Sequence, residues 1–269
     1  MKLLLAIFIL LFSFQYGSSQ SVKRIKHIDK DSIYLSFINP YIAPMEISIT
    51  PLDSTRSYIG VNSYGILKEG DTLKNALIIP LSKLSDTTKI HAKSYINFKA
   101  TFGDPNGIID EDHLYELPFM KGKRYKIIQS FDGKFSHNKP HSKYAIDFGT
   151  PIGDTITAAR SGRVFFVKED SKEHCKTSKC ASKGNKVLII HDDGTMAHYV
   201  HLDFEGALVE IGDHVSVNQP IGISGMTGFT TIPHLHFVMY KARSKSIPYY
   251  FKGFRRKKLK QGKYYKKPW

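Results

Sequence analysis

Short apolar runs alternate with turn signals along most of the chain, whereas long stretches of helical periodicity are scarce. In the first part the pattern is carried by runs such as residues 33–38 and 45–49, which the turn signal Asn39-Pro40 separates. Apolar runs of this length, bounded by Gly, Pro, Asn or Asp, are typical of β-strands. We therefore predict an all-β protein whose N-terminal module, residues 20–118, is β-rich and sandwich-like.

The pattern changes near residue 118, where a second domain is predicted to begin. Residues 119–246 combine many short strand-like runs with glycine turns, and this combination favours antiparallel pairing. We expect an antiparallel β-sheet or barrel-like domain there. Residues 247–269 are rich in basic and aromatic side chains and are predicted to form a separate tail.

The first residues have the pattern of a secretory signal peptide, predicted over residues 1–19. A basic residue precedes an apolar run from Leu3 to Phe14, and small residues follow it up to Ser19. The run is shorter than the roughly 20 residues that a membrane-spanning helix needs. We expect cleavage near Ser19 and a secreted or periplasmic protein without stable membrane insertion, with an uncleaved anchor as the alternative.

The charge is strongly positive and is concentrated at one end. The formal net charge of +15 comes from 39 Lys and Arg against 24 Asp and Glu, and residues 252–269 contain nine basic residues and no acidic one. Such a segment either attracts polyanions or remains a solvated tail that aids solubility. Because export separates the protein from nucleic acid, we expect no nucleic-acid partner, and the sequence predicts no particular oligomeric state.

Two cysteines occur, Cys175 and Cys180. In an exported protein such a pair is expected to form a disulfide, which would close a short loop and stabilise it by roughly 2 kcal/mol on the chain-entropy estimate. A zinc site at these cysteines is the alternative, but structural zinc sites use four ligands and no second cysteine pair is present.

Four polar islands interrupt the apolar runs of the second domain, and together they contain His137, His141, Asp147, His198, His201, His234 and His236. His234 and His236 stand two apart in a strand-like run, so both imidazoles face the same side. Asp147 follows an isoleucine and precedes a phenylalanine, where a carboxylate is costly to bury unless it is paired or bound to a metal. Three protein ligands and an open position are the pattern of a catalytic zinc site.

The second domain resembles the lysostaphin-type, LytM-like zinc endopeptidases that cleave peptidoglycan cross-links. The resemblance extends from about Gln129 to Tyr240 and leaves the N-terminal module uncovered. It rests on ordered segments that include Tyr144-Ala145-Ile146-Asp147-Phe148, Tyr199-Val200-His201-Leu202, Gly222-Ile223-Ser224-Gly225 and Pro233-His234-Leu235-His236-Phe237.

The resemblance implies that Asp147 and His236 are metal ligands, and that His201 and His234 form the catalytic pair beside the metal. The implied activity is that of a secreted zinc metalloendopeptidase, which hydrolyses cross-links or stem peptides of peptidoglycan with a zinc-activated water. Two alternatives remain: a catalytically degenerate protein that binds or regulates at the cell wall, and a zinc protease that acts on proteins. The chain has no His-Glu-x-x-His, so a glutamate-base metalloprotease of that type is not expected.

The first metal ligand departs from the common family pattern. Members often carry a histidine four residues before the aspartate, and this chain has Lys143 there. Lysine is a poor ligand while it is protonated, so the ligand is expected farther upstream. The resemblance to a longer-spaced variant of the family favours His137, with His141 as the alternative.

Overall fold

The computed structural model describes residues 22–254 and 256–269, and the chain divides into two compact units, which meet between Asp104 and Pro105. The predicted signal peptide, residues 1–19, lies outside the described residues. The division comes earlier than the boundary predicted after residue 118, because the strand Leu114–Tyr115 pairs within the second unit. Within the described part of the chain, no helix has the length and apolar character needed to cross a bilayer.

The first unit consists of two antiparallel sheets, with strand orders β1-β2-β6-β4 and β5-β3-β7. Its strands are β1 (Lys23–Ile28), β2 (Ser32–Ile38), β3 (Met45–Pro51), β4 (Gly60–Val61), β5 (Tyr64–Leu67), β6 (Thr72–Pro80) and β7 (Ile96–Phe102), and two 3₁₀ helices cover Leu81–Lys83 and Ala92–Ser94. Buried and half-buried residues alternate along β2, as expected for a strand with one face toward a core. The prediction of a β-rich chain is confirmed.

The second unit is built on a sheet of 11 strands. Its strands are β8 (Leu114–Tyr115), β9 (Arg124–Gln129), β10 (Ile146–Phe148), β11 (Thr155–Thr157), β12 (Gly162–Lys168), β13 (His174–Cys175), β14 (Asn185–Ile190), β15 (Met196–Ala207), β16 (His214–Val215), β17 (Pro220–Ser224), β18 (Gly228–Phe229), β19 (Leu235–Lys241), β20 (Lys245–Ser246), β21 (Tyr250–Phe251) and β22 (Tyr264–Lys266), with a 3₁₀ helix at Ser178–Lys183. The main pairing path is β16-β12-β14-β15-β19-β10-β9-β22, and it is antiparallel throughout. Two short pairs, β13–β18 and β8–β21, are parallel.

The centre of the large sheet aligns the polar islands. In β10, Asp147 lies opposite Gln129 of β9 on one side and opposite His236 of β19 on the other. On the far side of β19, Val200 of β15 is the partner of His236. A core of buried aromatic and aliphatic residues, among them Phe148, packs against this region and makes the strands a rigid frame.

The cysteines form the predicted disulfide, Cys175–Cys180. Cys175 is the last residue of β13, and Cys180 lies in the 3₁₀ helix that follows. The two sulfurs are therefore joined to each other, which rules out the alternative of a zinc site at these residues.

The C-terminal segment is part of the second unit, in contrast to the separate tail that its composition predicts. β21 pairs with β8, and β22 pairs with β9. Lys267 is 1% exposed, and its Nζ donates to the carbonyl of Leu117 at 2.6 Å and to Oγ1 of Thr157 at 3.2 Å. Pairing of β22 with β9 and the hydrogen bonds of Lys267 to Leu117 and Thr157 hold the segment in the second unit, so a basic composition did not imply a free tail.

We expect Lys267→Ala to destabilise the protein, because it leaves the Leu117 carbonyl and the Thr157 hydroxyl without the buried donor. Burial lowers the pKa of Lys267 to about 8, so the ammonium is still largely protonated at neutral pH. The loss should be about 1–3 kcal/mol in the free energy of unfolding, measured by urea titration. The exposed neighbour Lys266→Ala serves as control and should change stability by less than about 0.5 kcal/mol. Equal effects of the two variants would contradict the buried role.

Candidate metal centre

The structure brings five of the sequence-predicted site residues into one cluster. Among the described residues, two groups could hold a metal ion, and in each the ligand atoms lie within 4.8 Å of one another: His137, Asp147 and His236, and His201, His234 and His236. His236 belongs to both groups and therefore joins them. It is half-buried, and the other four residues are buried.

Two histidines of the polar islands lie outside both groups. His141, the alternative first ligand, is exposed. His198 stacks near Tyr240, with ring centroids 4.3 Å apart, and burial lowers its pKa well below the usual value. Lys143, which stands where the common family pattern has a histidine, is exposed and pairs with Asp132 at 3.9 Å.

Asp147 lies at the centre of the cluster. Its Oδ1 is 2.8 Å from Nδ1 of His236, 3.3 Å from Nε2 of His137 and 3.7 Å from Nε2 of His234. Burial raises the pKa of this carboxyl, but the interactions with His234, His137 and His236 outweigh burial and hold the pKa well below its ordinary value. The result is a buried, ionised carboxylate that imidazole nitrogens approach from three sides, a donor set suited to a cation.

His137 leaves an acceptor unused beside this carboxylate. Its Nδ1 is 3.0 Å from the Ser130 carbonyl and donates to it, which places the proton on Nδ1. The opposite nitrogen, Nε2, is buried, has no hydrogen-bond partner among the described residues and lies 3.3 Å from Oδ1 of Asp147. A cation between the two atoms would satisfy both, so the residues fit a metal.

A proton competes with a metal for the position between Nε2 of His137 and Oδ1 of Asp147. Burial lowers the pKa of His137, but Asp147 and the Ser130 carbonyl outweigh burial and raise it. A ligand must be deprotonated to bind a metal, so metal affinity at this site should fall as the pH falls.

His201 and His234 are held in one tautomer by backbone carbonyls. Nδ1 of His201 donates to the Thr227 carbonyl at 2.6 Å, and Nδ1 of His234 donates to the Ile232 carbonyl at 2.9 Å. Nε2 of each ring is therefore left free to accept a proton. Burial, aided by His234 and His236, lowers the pKa of His201 to about 3, so its imidazole is neutral at neutral pH.

The backbone of His201 is strained. Its φ is +68°, in the left-handed region that residues other than glycine seldom occupy. Strain of this kind costs on the order of 1–3 kcal/mol and persists only where the surroundings impose it, commonly at functional sites. In this chain His201 is the extra residue at a register shift between β14 and β15, where Lys186 pairs with Val200 and Asn185 pairs with Leu202.

Gln129 is a site residue that the sequence interpretation missed. Its Nε2 donates to Oδ2 of Asp147 at 3.1 Å and to Oγ of Ser136 at 2.8 Å, and its Oε1 accepts the backbone N–H groups of Phe135 and Ser136. One side chain thus holds both the Asp147 carboxylate and the turn that precedes His137. The feature that would have identified Gln129 is its pairing opposite Asp147 in the sheet. The two residues are 18 apart in sequence, and strand register over that distance cannot be predicted from the local pattern.

We expect Gly133→Ala to weaken metal binding without touching a ligand. A Cβ at Gly133 would lie 2.3 Å from Cγ of Gln129, so the glutamine must shift and release Asp147. Loss of such an outer-shell contact typically costs 10–100-fold in metal affinity, which competition with a chromogenic chelator would measure. Gly60→Ala is the matched control, because a Cβ there meets Ile78 at an ordinary 3.4 Å. Unchanged affinity in Gly133→Ala would argue against the role of Gln129.

The chain is similar to known peptidases over this region. Residues 141–248 match the profile of Peptidase family M23. A protein of Buchnera aphidicola subsp. Baizongia pistaciae, described as an uncharacterized metalloprotease, is 30% identical over 183 residues, which cover 65% of this chain and 44% of that protein. Peptidoglycan DD-endopeptidase ShyB of Vibrio cholerae is 32% identical over 159 residues, which cover 53% of this chain and 34% of ShyB. The catalytic domain of lysostaphin from Staphylococcus simulans is 28% identical with a TM-score of 0.34, over 47% of this chain and 87% of that domain.

The chain spans less than half the length of the two curated relatives. The family match begins four residues after His137 and includes Asp147, His201, His234 and His236. The resemblance inferred from the sequence is therefore confirmed at the level of the family, and the second unit of this chain contains a domain of peptidase family M23.

Proposed function

We propose that the protein is a zinc metalloendopeptidase that hydrolyses the peptide cross-links or stem peptides of bacterial peptidoglycan. The observation that carries the proposal is the buried carboxylate of Asp147 beside the unpartnered Nε2 of His137. Membership of a peptidase family supports the reaction class. The peptidoglycan substrate is proposed by analogy with ShyB, whose name describes a peptidoglycan DD-endopeptidase.

We assign His137, Asp147 and His236 as the zinc ligands. This group contains the carboxylate, whose charge favours a divalent cation, and it supplies the three protein ligands of a catalytic zinc site. When bound, zinc would polarise the substrate carbonyl and lower the pKa of water toward about 7. His141 is exposed, so the alternative first ligand is not part of the proposal.

We assign proton transfer to His201 and His234. Their ring centroids are 4.6 Å apart, and the Nδ1–H of each is engaged by a backbone carbonyl. One neutral Nε2 can accept the proton of the attacking water, and the resulting imidazolium can protonate the leaving amine or stabilise the oxyanion. Because both rings are fixed before substrate arrives, little reorganisation is needed during the reaction.

A cavity of about 460 Å³ lies in the second unit, and none of the five cluster residues lines it. It is lined by Lys126, Ile127, Ile128, Gly149, Ile232, Pro233, Gln261 and Gly262. Pro233 directly precedes His234, and Ile128 directly precedes Gln129, so two lining residues are sequence neighbours of site residues.

The decisive experiment incubates the chain from Gln20 onward, with one equivalent of zinc, with purified cross-linked peptidoglycan. Released fragments are then read by mass spectrometry. New amine termini that vanish after chelation and in His234→Ala would support the proposal and identify the bond. Zinc binding without cleavage of peptidoglycan would reject it, and cleavage of an unfolded protein such as casein under the same conditions would favour the protein-directed alternative. Neither zinc binding nor cleavage would favour the degenerate alternative.

The location follows from the same proposal. A peptidoglycan hydrolase must act outside the cytoplasmic membrane, and the signal-like pattern of residues 1–19 supports export. Detection of a mature N-terminus near Gln20 in secreted or periplasmic material would support this location.

A further inference from the structure

The hydrogen-bond acceptors of both proposed proton-transfer histidines come from one short segment, residues 227–232, which we name the acceptor loop. The Thr227 carbonyl accepts from Nδ1 of His201, and the Ile232 carbonyl accepts from Nδ1 of His234. Oγ1 of Thr230 lies 3.2 Å from the same His234 nitrogen. The orientation of both rings therefore depends on where the acceptor loop lies.

The acceptor loop is held from one side by the disulfide segment, residues 171–184. β13 of that segment pairs in parallel with β18, so that Cys175 lies opposite Phe229. The N–H of Gly228 donates to the Glu173 carbonyl at 2.8 Å, and the N–H of Thr230 donates to the Cys175 carbonyl at 3.2 Å. A half-cystine is thus itself one of the residues that hold the acceptor loop.

The other end of the disulfide segment contacts the same loop. A Cβ at Gly228 would lie 2.6 Å from Cα of Gly184 and 3.4 Å from the Cys180 carbonyl oxygen, so the backbones touch. The next residue, Asn185, donates its N–H to Oγ1 of Thr227 at 2.9 Å. The acceptor loop is therefore contacted by residues that lie before and after the 3₁₀ helix that contains Cys180.

These contacts with the acceptor loop depend on strands that are too short to be stable alone. β13 and β18 have two residues each, and isolated pairs of this size are not stable in water. The Cys175–Cys180 disulfide joins the end of β13 to the 3₁₀ helix. It so restricts the segment to the conformation in which both sets of contacts with the acceptor loop form. Hydrogen bonds to two of the proposed metal ligands come from elsewhere, since the Ser130 carbonyl accepts from His137 and Gln129 donates to Asp147.

We propose that the disulfide segment is a positioning element that fixes the acceptor loop, and through it the imidazoles of His201 and His234, without affecting the metal ligands. The expected effect on kcat rests on the proposed function. The fixed orientation of the two imidazoles rests on the hydrogen bonds alone. Reduction of the disulfide would test the structural consequence directly. A dithiol reductant gives up two electrons and two protons and becomes a disulfide, while Cys175 and Cys180 become two thiols and the segment loosens.

The test compares the full chain with the double variant Cys175→Ser, Cys180→Ser and with Lys179→Ala, a control that changes an exposed residue of the segment and keeps the disulfide. We expect the double variant to bind zinc as the unchanged chain does and to keep its KM. Its kcat should fall about tenfold or more, as a fraction of the 10²–10⁴-fold that positioned proton transfer provides. Lys179→Ala should leave all three quantities unchanged, and an unchanged kcat in the double variant would overturn the proposal.

A readout independent of activity is the imidazole Nδ1–H signals of His201 and His234 in long-range ¹H–¹⁵N NMR spectra. We expect slowly exchanging signals in the unchanged chain and their broadening or loss in the double variant. If the unchanged chain cleaves no substrate, the proposed function fails, but this NMR difference still supports the positioning role. Identical signals in both proteins would overturn it. Should the double variant not fold, reversible loss of the same signals on treating the unchanged chain with dithiothreitol, at constant far-ultraviolet circular dichroism, would support the proposal, and persistence of the signals would overturn it.

Discussion

His236→Ala is expected to abolish zinc binding and peptidase activity together. His236 is shared by both groups of ligand atoms, and its Nδ1 lies 2.8 Å from Oδ1 of Asp147. Removing it leaves two ligands and an under-compensated buried carboxylate. Because outer-shell changes alone cost 10–100-fold, the loss of a ligand should reduce zinc affinity by more than about 100-fold. Isothermal titration with zinc and metal analysis after dialysis would measure the loss.

The same measurement distinguishes the two candidates for the first ligand. His137→Ala should lose zinc as His236→Ala does, because the unpartnered Nε2 of His137 faces Asp147. His141→Ala is the matched control, four residues away in sequence but exposed, and should bind zinc normally. Loss of zinc in His141→Ala with retention in His137→Ala would refute the ligand assignment.

Local patterns were sufficient to indicate His234, His236 and Asp147, whereas the choice of His137 over His141 rested on the family resemblance. The two-residue period of a strand places His234 and His236 on one side, and the structure brings both to Asp147. A carboxylate among apolar residues is a local signal as well, because burial of Asp147 has to be compensated. These signals need only a few consecutive residues, which is why sequence alone could reveal them.

Contacts between distant segments were beyond the local pattern. Gln129 joins Asp147 to the turn before His137, but its role depends on the register between β9 and β10. The C-terminal segment was predicted as a tail from its charge, although pairing of β22 with β9 and the burial of Lys267 incorporate it into the second unit. Composition reports solvation preferences, whereas these contacts are set by tertiary packing.

The acceptor loop illustrates the same limit at the proposed catalytic pair. The sequence named His201 and His234 but gave no reason for their orientation, which comes from the carbonyls of Thr227 and Ile232. Those carbonyls are backbone atoms, so no residue type signals them. Their position is set instead by close backbone contact with the disulfide segment at Gly228, a position where φ is +83° and a side chain would clash.

His234→Ala is expected to separate catalysis from metal binding. His234 lies outside the assigned ligand set, and its Nδ1–H is already engaged by the Ile232 carbonyl, so its contribution is made by Nε2, which lies 3.7 Å from Oδ1 of Asp147. Removing a positioned proton acceptor or donor should lower kcat by about 10²–10⁴-fold. Zinc content should remain close to one equivalent, since His137, Asp147 and His236 are all retained.

The measurement pairs steady-state cleavage of a defined peptide cross-link with zinc analysis on the same sample. His198→Gln is the matched control, because His198 lies in β15 three residues before His201 but belongs to neither group of ligand atoms. It should keep zinc and most of the activity, provided that circular dichroism confirms folding. Full activity in His234→Ala would transfer the proton-transfer role to His201 alone. Loss of zinc in His234→Ala would instead place His234 among the ligands, in the group that it forms with His201 and His236, and the assignment of Asp147 to the metal would then have to be revised.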